Sequence, residues 1–196
     1  MGDHKINSRS DDQARLNFLG HLIDDLKSLE YMFEQGMLED QISRIGAEQE
    51  FCLVNEDWRP TKNALDVLKD INDPHFTIEL ARYNLEINLD PVELKDDAFS
   101  KIEQQIDLLL KKAVAAARTK GSKILLTGIL PSISKHELEF EYMTPEKRFY
   151  ILNDLLKEIR GGDFKLHLRG VDELSIVHNS IMFEACNTSF QLHLQI

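Results

Sequence analysis

The sequence predicts a mixed α+β domain, with a mainly antiparallel sheet and helices packed on one face. Three observations predict it. Apolar residues recur at helical spacing in long stretches, several of them closed by glycine. Other segments alternate apolar and polar residues with the period of a strand. The order runs helix, strands, helix, strand, helix, strands, which is the grouping of an α+β domain.

Taken in order, residues 11–36 carry Leu16, Leu19, Leu22, Ile23, Leu26, Leu29 and Phe33 on one amphipathic helix, closed by Gly36. "SRIGAEQEFCLV" alternates as a strand. Ile45, Ala47, Phe51 and Leu53 face one way, and Gly46, Glu48, Glu50 and Cys52 the other. "NEDWRPT" is a turn and "KNALDVLKDI" a short helix. "HFTIELARYNLEINLD" is read as one second strand region, in which Leu85, Ile87 and Leu89 alternate with Asn84, Glu86 and Asn88. Residues 93–119 form a long helix with Phe99, Ile102, Ile106, Leu109, Leu110, Ala113 and Ala117 on its buried stripe, and Gly121 caps it. "KILLTGIL" is a short apolar strand ended by Pro131. "MTPEKRFYILNDLLKEIRGG" opens a helix with Thr144 as N-cap and Pro145 at its first position, and closes at a glycine pair. "FKLHLRG" and "SIVHNSIMFEACNTSFQLHLQI" are both strand-like. In the latter, Phe190, Leu192, Leu194 and Ile196 point to one face and Ser189, Gln191, His193 and Gln195 to the other. The sequence stops in mid-alternation, and from this we expect a fragment of a longer protein.

Composition narrows the function classes. The 196 residues suffice for one domain with a sizeable core. A net charge of −11, with no basic patch in the sequence, argues against a nucleic-acid partner. No run of about 18 apolar residues marks a membrane span. The polar start "MGDHKINSRSDDQ" has neither the apolar stretch of a signal peptide nor the Ser or Thr of a myristoylation signal, so no membrane partner is expected. Both cysteines, Cys52 and Cys186, fall in strand-like runs, as reduced thiols of a cytoplasmic protein do.

The polar faces carry the chemistry. Glu48 and Glu50 sit two apart on one strand face, roughly 6–7 Å from each other at the strand rise. The second strand region offers Glu86, with Glu79 nearby, and the last strand offers Gln191 and His193. Two readings are open. The face is simply solvated, as one face of an antiparallel sheet commonly is. Alternatively, it holds a hard cation, Mg²⁺ or Mn²⁺, which takes carboxylate oxygens. Without a cation, neighbouring carboxylates repel and one pKa rises. Glu79 and Glu86 are seven apart, so on one regular strand they face opposite ways. Sharing a site requires a bulge or kink, which "ARYN" could supply.

"GAEQEF", "ELARYNLEINLDP", "TGILPSI", "MTPEKRFYILND" and "CNTSFQLHLQ", in that order, resemble the glutamate–cysteine ligase family of the second bacterial type, the carboxylate–amine ligases. The likeness runs from about Arg44 to the end. It implies residues 1–40 as an N-terminal helical extension, and 41–196 as the N-terminal part of a truncated catalytic domain of glutamine-synthetase-like fold. It implies an enzyme that uses ATP to activate a glutamate carboxylate as an acyl phosphate for attack by an amine such as cysteine. By the resemblance, Glu48, Glu50, Glu79 and Glu86 hold the metal ions, with His193 beside them. Gln191 and His193 complete the nucleotide site, and Arg148 contacts the substrate carboxylate.

The match has departures. Leu130 stands where relatives commonly carry His before the proline, and Leu89–Asp90 where a Thr is usual. The later strands, which in the family bring further metal ligands and phosphate-holding basic residues, are missing. The fragment alone is therefore expected to be inactive. A non-catalytic metal- or nucleotide-binding module of the same fold is the alternative. The amine substrate stays open among cysteine, another amino acid and a polyamine. An unpaired sheet edge at 187–196 invites a second copy.

Overall fold

The computed structural model describes residues 12–195; residues 1–11 of the expected extension and Ile196 of the last alternation lie outside them. The fold is the expected mixed α+β domain with an antiparallel sheet. Its axis is an eleven-residue strand, β1 (Arg44–Val54). Along one edge of β1 pair β3 (Asn84–Asn88) and the two-residue β4 (Val92–Glu93). Along the other pair β5 (Lys123–Leu125) and β8 (Phe190–Leu194). β2 (Phe76–Ile78) extends the sheet outside β3. Every pairing is antiparallel.

One face of β1 presents Ile45, Ala47, Phe51 and Leu53, as the alternation predicts. These pack with Leu85 and Ile87 of β3 and with two helices, α2 (Ala64–Ile71) and α3 (Ala98–Thr119). From α3 come Ile102, Leu109, Ala113 and Ala117. Each large side chain buried here contributes about 1.5–3 kcal/mol over leaving it in water. The helix begins five residues later than the periodicity suggests, because 92–93 pair with β1 first. Ala98 takes the core position at its start, and Phe99 is exposed. Its end is as expected: Gly121, at φ +70°, follows the last turn.

The other face has a second core. Leu80, Ala81 and Tyr83 pack with Leu138, Tyr142 and Met143 and with Ile181, Met182 and Ala185. Three features of this layer differ from the sequence reading. The second strand region is two strands, since β2 and β3 form a hairpin through residues 79–83. The helix after Pro145, α4 (Lys147–Arg160), starts three residues beyond Thr144, which is not its cap. Thr144 is buried instead, and its hydroxyl and N–H bond to the hairpin. The long final strand-like run divides into β7 (Glu173–His178), a 3₁₀ turn over Ile181–Cys186 and β8. β7 pairs with β6 (Phe164–Arg169) as a separate hairpin. "KILLTGIL" keeps only three residues as strand; Leu130 leaves the sheet to cover Cys52 and Val54.

The first helix, α1 (Asp12–Glu34), forms as predicted, but its apolar residues stand exposed, Leu16, Leu19, Leu26 and Phe33 among them. Periodicity specifies a stripe and not the surface that covers it. No helix among the described residues is long and apolar enough to cross a membrane. Both cysteines are free, Cys52 buried and Cys186 half-buried.

Candidate metal centre

The register places the polar residues in rows across the sheet. Glu50 pairs directly with Glu86, which has Thr77 on its far side. Glu48 lies between Asn88 and Gln191, and Gly46 opposite His193. Directly paired residues of an antiparallel sheet share a face. Glu48, Glu50, Glu86, Gln191 and His193 therefore share one face of one sheet. Cys52 lies on the same face but is sealed by Leu130, so the polar surface ends there.

Glu79 joins them through the hairpin. One residue past the end of β2, it keeps the parity of Thr77 and comes beside β3. Its backbone is tied from the opposite layer. The Thr144 hydroxyl donates to the Glu79 carbonyl at 2.6 Å, and the Thr144 N–H to the Leu80 carbonyl at 2.9 Å. One carboxylate oxygen each of Glu50, Glu79 and Glu86 then lies within 4.8 Å of the others. The turn between two strands, not a bulge within one, solves the seven-residue spacing.

Two of these carboxylates are held in place by neighbours. Ser189 donates its N–H to Glu50 at 2.7 Å and its hydroxyl at 3.4 Å. The Asn88 amide donates to Glu86 at 2.7 Å. Glu48 and His193 Nε2 lie 3.5 Å apart at the exposed side. Two like charges directly opposite on a sheet are destabilising, and the acids respond as expected. Burial, then a hydrogen bond and charge from Glu86, push Glu79 up to about 8. Burial raises Glu50 as well, against the Ser189 N–H that lowers it, with Glu86 and Glu48 adding to the rise.

A further oxygen belongs to a residue that the sequence reading put on this face without giving it a role. Asn84, 2 % exposed, lines a cavity of about 360 Å³ together with two of the clustered acids, Glu50 and Glu79, and with Glu184, Ser189 and Gln191. Its amide nitrogen donates to the Ala185 carbonyl at 2.8 Å. That partner accepts only, so it fixes which way the amide points. The Asn84 Oδ1 is left buried with no partner. An unpaired buried polar atom costs about 1–3 kcal/mol. Asn84 and Ser189 share the parity of Glu86 and Gln191, so the alternation alone could have singled them out. Thr144 carried no such signal.

Arg148 stands apart. It sits in the first turn of α4, its guanidinium 4.6 Å from the Phe149 ring, and it does not line the acidic pocket. That lining holds no Lys or Arg. No protein-family model matches the chain, and a search of curated proteins finds no significant match.

Proposed function

We propose that the polar sheet face binds a hard divalent cation, Mg²⁺ or Mn²⁺, and serves an ATP-dependent carboxylate–amine ligase. The observation that carries the cation is the joint one: three clustered carboxylates, and the orphaned Oδ1 of Asn84, a residue that lines one pocket with two of them, Glu50 and Glu79. The donors fit, since all are oxygens. Glu50, Glu79, Glu86 and Asn84 would hold the ion, with Glu48 and His193 beside them at the open side. A divalent ion there shields a carboxylate from a phosphate and polarises the phosphoryl group.

The chain's own residues do the positioning. Ser189 aims Glu50, Asn88 aims Glu86, and Thr144 fixes the backbone that carries Glu79. Glu79 would exchange its proton for the cation, so the proton limits the charge crowded on this face when the pocket is empty and the divalent ion offsets it when the pocket is loaded. Gln191 and His193, in adjacent rows of β8, border the route by which a nucleotide phosphate would approach. Activation of a glutamate carboxylate, and its capture by an amine, is the reaction this residue set resembles.

The test is ADP formation by the protein that carries this chain. ADP should appear only when ATP, Mg²⁺, glutamate and an amine are present together, and Glu50→Gln should reduce it steeply while leaving the fold intact. ADP formation that ignores glutamate, or full turnover in Glu50→Gln, contradicts the reading. The lack of Lys or Arg around the pocket favours a second reading, a metal-binding module without catalysis. Under that reading Mn²⁺ binds but ATP neither binds nor turns over.

A further inference from the structure

A second cavity adjoins the acidic one. It measures about 780 Å³ and lies between the β6–β7 hairpin, the 129–138 segment and the 181–187 turn. One face of the hairpin forms its main wall, because Leu166 pairs with Ile176 and Leu168 with Leu174. Ile129 and Leu138 come from the 129–138 segment and Phe183 from the 3₁₀ turn. This wall is not a finished core. Leu168 is 51 %, Leu174 47 % and Ile129 58 % exposed. Apolar surface gathered in a concavity and left wet is the mark of a ligand site.

Two charges interrupt the apolar lining, Lys135 and Glu184. Both are exposed, and neither has an ion-pair or side-chain hydrogen-bond partner among the described residues. One free cation and one free anion on the wall of an apolar cavity match a zwitterion with an apolar body. Glu184 and Asn187 also border the acidic pocket. A group held at Glu184 thus faces the carboxylate cluster, and a negatively charged neighbourhood selects an ammonium there.

We propose that this cavity binds an α-amino acid with a large apolar side chain. Its ammonium meets Glu184, its carboxylate meets Lys135, and its side chain lies on Leu166, Leu168, Leu174 and Ile176. A lipid chain would leave Glu184 unmatched, and a polar amino acid would leave the leucines wet. The site itself stands on the cavity. Its role rests on the ligase reading, in which this amino acid is the amine that captures the activated carboxylate.

The test is calorimetric titration of the chain, without nucleotide or metal, using L-phenylalanine and L-leucine as probes. Saturable binding is expected at millimolar affinity or better. N-acetyl-L-phenylalanine, which lacks the ammonium, and phenethylamine, which lacks the carboxylate, should each bind about fivefold more weakly, as for one exposed ion pair lost. Glu184→Gln should weaken L-phenylalanine by a similar factor and leave the N-acetyl compound unchanged. The double change Leu168→Ser with Leu174→Ser should abolish binding. Both residues are half-exposed, so the fold should survive, as an unchanged melt checks. No saturation by either amino acid up to about 10 mM, or wild-type binding by the double variant, overturns the proposal. L-phenylalanine binding by the chain, with no ATP turnover by the protein that carries it, leaves the cavity assigned and sinks the ligase reading. ATP turnover with glutamate and a polar amine, but no L-phenylalanine binding, does the reverse.

Discussion

Glu79 is the residue on which the cation reading turns. Its pKa of about 8, raised by burial and by Glu86, means that it carries a proton at neutral pH when no cation is bound. The unfolded chain releases that proton near the ordinary glutamate value, so between the two values the folded state holds more protons. This group's effect on stability is therefore most favourable below the ordinary value and is lost as pH rises to about 8. A bound cation replaces the proton. Cation affinity should thus rise between about pH 6 and about pH 9, with proton release seen as buffer-dependent heat in calorimetry. Affinity that is flat across that range contradicts the role given to Glu79. Thr144 acts on the same residue through the backbone. Thr144→Val keeps the shape but strands the Glu79 carbonyl, so it should cost about 1–3 kcal/mol in denaturant unfolding. It should also weaken Mn²⁺ binding, which a purely structural threonine would not affect.

At the scale of elements, the β2–β3 hairpin makes the site. Alternation across "NLEIN" was legible and placed Glu86, and with it Asn84, to which it gave no role, on the correct face. The Glu79–Glu86 spacing also called for a bulge or kink at "ARYN", but that the break is a full hairpin turn was not legible, because "ARYN" lacks the glycine or proline that usually marks a turn. What bends the chain there is tertiary. Ala81 bridges to Met143, and Arg82 N–H bonds to the Tyr142 carbonyl, residues about sixty positions away. The same pairing takes Thr144 from α4, whose start was misjudged because "TP" reads locally as a cap. In the final run, β7 and β8 were legible but the 3₁₀ turn between them was not. Its apolar residues serve the second core, and a short apolar run reads equally well as strand. Helix α1 shows the opposite case, an element written plainly in the sequence with its apolar face exposed. Removing residues 1–36 should leave the melting temperature of the remaining sheet domain unchanged within error. A large drop would mean that α1 shields the core.

For the whole molecule, the sheet is a partition. One side packs α2 and α3 into a core, and the other gathers acids from two strands and a hairpin turn beside an apolar cavity. The pattern of the sequence sufficed for the partition and for three of the acids, Glu48, Glu50 and Glu86. It could not supply the distances, which depend on register and on the loop layer that closes the pocket. A net charge of −11 adds to the cost of crowding acids, so a cation at this site should stabilise the entire fold by linkage. Thermal unfolding with and without Mn²⁺ at neutral pH, on the wild type and on Glu50→Gln and Glu79→Gln, tests this most directly. At a Mn²⁺ concentration of about 100 Kd the wild type should gain about 2.7 kcal/mol. Both variants should fold and lose most of that gain. A wild-type melt indifferent to millimolar Mn²⁺, or the same gain in all three proteins, would contradict a metal centre on this face.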